Sequence, residues 1–386
     1  MNTIITEKDF ENYFNQSPEY QVRCGGRFEI LGNHTDHNHG LCCAATCDLQ
    51  IYGYLKARNN NTVEVMSVGY SPCLVDLDDL EVLPDDFASS KGLVKGVAKY
   101  FLDHGYAVGG FSLYTDSSIF PGAGVSSSAA FESLIAQIFN VLFNEGRINK
   151  IFLAKSGQYA ENNYFGKKSG LLDQIGTGFG DISYIDFANI NNPQVETIDF
   201  PFNDLHFIIV NTGGSHAELN DLYSSIPENM WSAAHKVGHE FLREGSLQEI
   251  SVCSSLTKME YNRAKHFYDE NERVSIMKRA LLNKDKEMFL KLINESRKSS
   301  TELLKNMMVE DKYEGSPLQA CDRAMKIMED NGACKINGGG FAGSIICVVP
   351  DKYLQKFIEQ MNDYYGENNV KEVHVNKNGP VVERLS

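Results

Sequence analysis

The chain has 386 residues, more than one ordinary hydrophobic core organises, and its length suits two domains of roughly 150 to 200 residues each. A formal charge of −15 and a pI near 5.2 exclude a general nucleic-acid or anionic-membrane binder, because no excess of Lys and Arg exists to meet a phosphate backbone. Nine cysteines make an odd count for a disulfide framework, and Cys42, Cys43 and Cys47 lack the paired spacing of a zinc site, so buried free thiols are expected.

Residues 1 to about 20 read as a surface helix. Glu7, Lys8, Asp9 and Glu11 stand where a signal peptide needs an apolar core, and no apolar run of about 18 residues occurs anywhere. A cytoplasmic protein is therefore expected, with no membrane and no nucleic-acid partner. Val22 to Leu31 reads as a strand running into a polar loop, Gly26-Arg27-Phe28-Glu29-Ile30-Leu31-Gly32-Asn33-His34-Thr35-Asp36-His37-Asn38. Carboxylate, amide, imidazole and guanidinium groups packed this densely suit a small-molecule site that binds a ring of hydroxyls, the alternative being a solvated turn. A metal site from His34, Asp36, His37 and His39 is a weaker reading, since ligands crowded into so short a loop cannot all converge on one ion. Alternation at Val63 and Val65, and again at Phe111 and Leu113, marks half-buried strands.

Next comes Pro121-Gly122-Ala123-Gly124-Val125-Ser126-Ser127-Ser128-Ala129-Ala130. Gly122 and Gly124 allow the backbone to turn through positive φ and approach a ligand closely. Phe131, Leu134, Ile135, Ile138 and Leu142 then fall on one helical stripe, so the loop opens a helix whose first turn offers free N–H groups and three serine hydroxyls. This reads as a phosphate cradle, against the plainer alternative of a serine-capped turn. No Lys follows the glycines as in a Walker loop, so charge must be met by the helix terminus, a divalent cation and side chains elsewhere, with Glu161 and Asp173 as the candidate carboxylates.

A second helix carries Leu153, Gly157, Ala160 and Tyr164 and ends near Gly166, before the loop Lys168-Ser169-Gly170 and the segment Leu171-Leu172-Asp173-Gln174. Asn191-Asn192-Pro193 and Pro201 place a domain boundary near 200, giving units 1–200 and 201–386. Beyond it Phe207 to Val210 reads as a buried strand and much of 229 to 310 as helix, with Met288, Phe289, Leu292, Ile293 and Ser296 on one face. Asn337 to Gly343 is a glycine loop before the strand Ser344 to Val349, followed by a helix near 352 to 364 and a terminal strand. Strands before the cradle and helices after it make an α+β arrangement.

In this order the segments resemble the GHMP small-molecule kinase superfamily, and its galactokinase branch in particular. Gly26-Arg27 through Asn38 is similar to the galactokinase signature, Pro121 to Ala130 to the superfamily's ATP-binding motif, and Asn337 to Gly343 to its third glycine motif. Gly170-Leu171-Leu172-Asp173-Gln174 and His216 through Tyr223 fit the same branch. The resemblance implies an N-terminal domain like ribosomal protein S5 domain 2 and a ferredoxin-like C-terminal domain, with ATP and sugar between them. It implies that Asp173 and Arg27 are catalytic, that Ser128 and Glu161 bind Mg²⁺, and that Asn33, His34, Asp36, Gly170 and Tyr223 contact the sugar. Pro121, Gly122, Ala123, Gly124, Val125, Ser126, Ser127 and Ser128, with Gly339 and Gly340, would hold ATP.

The implied reaction is transfer of the ATP γ-phosphoryl group to the anomeric hydroxyl of galactose, by a monomer or weak homo-oligomer. Four positions depart from the pattern. Asn33 replaces a usual Glu, which opens galacturonate or another galactose-like sugar as an alternative substrate, while His37, Lys335 and Ala342 stand where Tyr, Arg and Gly are usual. A non-catalytic sugar sensor is the alternative of another class, disfavoured because Arg27, Glu161 and Asp173 are all present. A dinucleotide-binding oxidoreductase fits worse, since the cradle lacks G-x-G-x-x-G.

Overall fold

Two β-sheets, each with helices packed on it, account for the described residues. The computed structural model describes residues 5–167, 169–213 and 219–386; Lys168 and His216, both named above, lie outside them. In chain order, α1 (Glu7–Phe14) leads to β1 (Tyr20–Leu31), β2 (Leu41–Ala57), β3 (Thr62–Ser67), β4 (Cys73–Asp76), α2 (Ser90–Asp103) and β5 (Phe111–Ser117). Then follow α3 (Ser127–Phe143), α4 (Lys150–Ala160), α5 (Leu172–Gly178), β6 (Ile182–Asp186) and β7 (Gln194–Ile198). The remainder runs β8 (Leu205–Asn211), α6 (Asn220–Lys236), α7 (Leu247–Val252), α8 (Lys258–Leu282), α9 (Lys286–Ser299) and α10 (Pro317–Ile327), then β9 (Ala333–Ile336), β10 (Ser344–Pro350), α11 (Leu354–Tyr365), β11 (Val370–Val373) and β12 (Val381–Arg384).

The first sheet has the order β12-β1-β2-β5-β3-β4, with β6 and β7 continuing from the far part of β2; among the described residues only β3 and β5 pair in parallel. The second is four-stranded and antiparallel, β11-β8-β10-β9. This is the mixed helix-and-sheet class expected from the sequence. The change of sheet falls between Ile198 and Leu205, near the turn residues noted above, but the chain does not stay in the second layer: β12 returns to pair with β1. The N-terminal helix is also shorter than the sequence suggested, ending at Phe14 where Asn15 turns left-handed, so that β1 begins at Tyr20.

Packing explains the placement. Leu134, Ile135, Ile138 and Phe139 on α3 bury the predicted stripe against Val94, Val97 and Phe101 of α2 and Leu113 of β5. A second core joins the two sheets, where Phe28 of β1 meets Phe207 of β8 with ring centroids 4.6 Å apart, and Phe289, Leu292 and Ile293 of α9 close over them. Each such fully buried apolar side chain contributes about 1.5–3 kcal/mol, so this shared core holds the two halves of the site in register. No helix among the described residues is long and apolar enough to cross a membrane.

Candidate functional site

The cradle is built where β1 passes under the loop that opens α3. Gly26 is required for that passage, because a Cβ there would lie 2.5 Å from the Val125 carbonyl oxygen. With the space clear, the Arg27 amide donates to Val125 O at 2.9 Å. Gly122 and Gly124 take φ of +80° and +69°, and Ser126 enters α3 with φ +56°. That left-handed residue swings the Ser126 hydroxyl away from the usual capping direction, and it donates instead to Asp173 Oδ2 at 2.6 Å. Ser344 Oγ donates to Ala123 O, and Asn337 Nδ2 to Gly124 O, so both ends of the third glycine loop are fastened to the cradle.

Asp173, in the first turn of α5, is the convergence point. Arg27 Nε donates to its Oδ1 at 2.8 Å, with Nη2 at the same distance, while Nη1 holds Gly124 O. Burial alone raises the Asp173 carboxyl, but Arg27, Lys167 and the Ser126 hydroxyl outweigh it and hold the group below the ordinary carboxylate range. It is ionised at neutral pH.

On the other side of α3, Ser128 Oγ donates to Glu161 Oε1 at 2.9 Å, and the Lys167 ammonium sits 2.7 Å from the same oxygen. Glu161 is wholly buried where α4 loosens into a wider turn over Glu161–Phe165. A hydroxyl and a carboxylate oxygen are the hard oxygen ligands a divalent ion takes, and such an ion would have to displace the Lys167 ammonium from Glu161 Oε1. Among the described residues no group of three or more His, Cys, Asp or Glu side chains could hold a metal ion by itself. Sequence reasoning missed what lies behind Glu161: Gln174 Nε2 bridges Glu132 Oε2 and Glu161 Oε2, at 3.0 Å each. Burial and the Glu161 charge push the Glu132 carboxyl up.

The polar loop Gly32 to Asn38, expected from the sequence to hold a sugar, lies at the far end of β1. Gly170 leaves room for Asp36, whose Oδ2 would lie 2.2 Å from any added Cβ. His34 has φ +59° and bonds Gly339 O through Nε2 at 2.9 Å, which makes Nε2 the protonated nitrogen; its Nδ1 is buried and has no hydrogen-bond partner among the described residues. Burial lowers the His34 pKa to about 3, so the ring is neutral. The Tyr223 hydroxyl donates to Gly340 O at 2.6 Å, and its ring lies edge-on to Phe341. The tip of the third glycine loop, Gly339 and Gly340, thus faces His34 and Tyr223, while its ends touch the cradle.

Asn33 is placed differently from its neighbours. It is 1% exposed, and its side chain is bonded to Glu29, Gly338 O and Asn306. Asn306 follows α9 without any motif to mark it, and no local pattern signals its part in the site. Glu270 of α8 accepts from the Gly32 and Asn33 amides, and is likewise unannounced by sequence.

Comparison with known proteins gives the same two regions. The GHMP kinases N terminal domain matches residues 92–181, and the galactokinase galactose-binding signature matches residues 8–56. A galactokinase from Staphylococcus saprophyticus is 28% identical over 371 residues, covering 93% of each chain. In fold, the chain is similar to Lactococcus lactis galactokinase complexed with galactose, with a TM-score of 0.83 at 23% identity over 98% of both chains. It is also similar to Methanococcus jannaschii mevalonate kinase, with a TM-score of 0.65 at 16% identity over 92% of this chain and 98% of the other.

Proposed function

We infer that this chain, a member of the GHMP kinase superfamily, is an ATP-dependent sugar 1-kinase that phosphorylates the anomeric hydroxyl of galactose, giving galactose 1-phosphate and ADP. The observation that carries the reading is Asp173. It is an ionised carboxylate held by Arg27 and Ser126, placed between a glycine cradle at a helix N-terminus and a loop dense in sugar-binding groups.

The free N–H groups and positive dipole of the first turn of α3 favour the polyphosphate of ATP. Arg27 grips both Asp173 and the cradle carbonyl of Gly124, so that the group receiving the hydroxyl proton and the loop holding the phosphates keep a constant separation. Asp173 orients the anomeric hydroxyl and accepts its proton as the O–P bond forms, and the guanidinium of Arg27 offsets charge on the transferring phosphoryl group. A loose phosphoryl-transfer transition state asks little of the base, so orientation is the larger part of the Asp173 role.

Ser128 and Glu161 would hold Mg²⁺, which would supply neutralisation of the phosphate charge. His34, with one neutral acceptor nitrogen, and Asp36, beside Gly170, present groups to the sugar hydroxyls. One chain contains every group named, so the reaction needs no second copy. A reducing cytoplasm suits nine cysteines that are all free.

A coupled ADP-release assay with ATP, Mg²⁺ and a panel of galactose, galacturonate, N-acetylgalactosamine and arabinose tests the proposal. Galactose is expected to have the highest kcat/KM. Negligible galactose turnover beside robust uronate turnover would overturn it.

A further inference from the structure

Every polar group of Asn33 is used inside the protein. Its amide N–H reaches Glu270 Oε1 at 3.4 Å, and its carbonyl meets His266 Nε2 at 3.0 Å. The side-chain Nδ2 donates to Glu29 Oε1 at 3.1 Å and to Gly338 O at 2.7 Å, and Oδ1 accepts from Asn306 Nδ2 at 2.8 Å. An amide nitrogen has two hydrogens and both are committed. The residues on the other side of these bonds are equally enclosed: Asn306 and Lys335 are 0% exposed and Glu29 3%. Lys335 Nζ lies 2.7 Å from Glu29 Oε1, so Asn33 and Lys335 share one buried carboxylate oxygen.

Charge counting makes the two residues interdependent. Lys335 is the one cationic side chain bonded to Glu29 among the described residues; burial pushes the Glu29 carboxyl up, and the Lys335 charge, with Arg27 farther off, opposes that. A neutral amide at position 33 leaves that balance intact, whereas a carboxylate there would put two buried anions on one ammonium. Three segments far apart in sequence meet here: the sugar loop, the turn after α9 and the third glycine loop. Asn306 Nδ2 also donates to Gly339 O, the same carbonyl that His34 Nε2 holds.

We propose that Asn33 is a positioning residue, a buried strut that fastens the sugar loop to the third glycine loop, and that its neutrality is matched to the single cation Lys335 at Glu29. The proposal deepens the sugar-kinase reading and rests on it: Asn33 places His34 and Asp36, and discrimination at the sugar's C6 substituent falls to other groups. The neutral amide is then a complement to Lys335, and carries no preference for an anionic sugar.

Two measurements test this, one of them independent of catalysis. In the first, Asn33→Ala is combined with galactose and its 6-deoxy analogue, following kcat/KM and calorimetric sugar binding. The expected result is the same loss, about tenfold and mainly in sugar KM, for both sugars, with ATP KM within about twofold of wild type. A loss that disappears with the 6-deoxy sugar would make Asn33 a C6 contact and overturn the proposal. In the second, the thermal midpoints of Asn33→Glu, Glu29→Gln and the double variant are compared. Each single change is expected to lower Tm by about 5 °C or more, and the double variant, which again holds one carboxylate and one cation, to recover part of the loss. If a single variant does not fold, recovery of folded protein in the double variant reads the same coupling. An Asn33→Glu protein as stable as wild type, or a double variant as unstable as the two losses added, overturns the charge matching. Absence of galactose turnover in the wild type would instead count against the functional reading, leaving the Tm cycle to decide this one.

Discussion

Glu270→Gln should loosen the sugar loop and remove a pH-dependent part of the stability. Glu270 is completely buried on α8; its Oε1 accepts from the Gly32 amide at 3.0 Å and Ser296 Oγ at 2.7 Å, and its Oε2 from Arg273 Nε at 2.7 Å. Burial by itself raises the carboxyl, but Arg273, His266 and these donors reverse that and bring the pKa from 4.5 down to about 2. At about 1.4 kcal/mol per unit, the shift corresponds to about 3 kcal/mol favouring the folded state. Because the folded pKa is the lower one, this contribution is complete above pH 4.5 and is lost as the pH falls through about 2.

A Gln side chain keeps the shape but has no charge, and its NH₂ group must face either Arg273 or the loop amides, which are all donors. Urea unfolding of wild type and variant should therefore differ by about 3 kcal/mol at pH 7 and by roughly half of that at pH 3. Sugar KM should rise in the variant while ATP KM holds. A difference below about 1 kcal/mol at pH 7, or one that is equally large at pH 3, refutes the reasoning.

Asp173→Asn should reduce kcat about 10²-fold or more while calorimetric affinities for sugar and ATP stay within a few-fold; unchanged turnover removes Asp173 from its role. Gly170→Ala brings a Cβ to 2.2 Å from Asp36 Oδ2, and Gly124→Ala places one 2.2 Å from Ser344 Oγ at φ +69°. The first is expected to raise sugar KM and the second ATP KM, each about tenfold, and steady-state kinetics in both substrates would expose the opposite pattern. Ser128→Ala and Glu161→Gln should move the Mg²⁺ dependence of turnover to higher concentration, and a chelator should abolish activity; full activity with chelator present refutes the assignment.

What the sequence by itself determined is local. The stripe Phe131 to Leu142 implies α3, the glycines before it imply a loop at positive φ, and Phe207 to Val210 implies a buried strand. In each case a few neighbouring residues decide the conformation, through periodicity or the absence of a Cβ. The chemistry-bearing segments were legible for the same reason, since each motif is contiguous. Their meeting was not: Arg27 and Asp173 are 146 positions apart, Asn33 and Asn306 273, and Glu29 and Lys335 306. The packing of α5 on β1 and β2 brings Arg27 and Asp173 together, and the packing of the two sheets through Phe28, Phe207 and Phe289 brings Glu29 to Lys335. That packing also sets the surroundings of position 33. An Asn in a polar loop looks available to a ligand, but tertiary structure encloses it, and a buried amide must spend its hydrogen bonds on the protein around it.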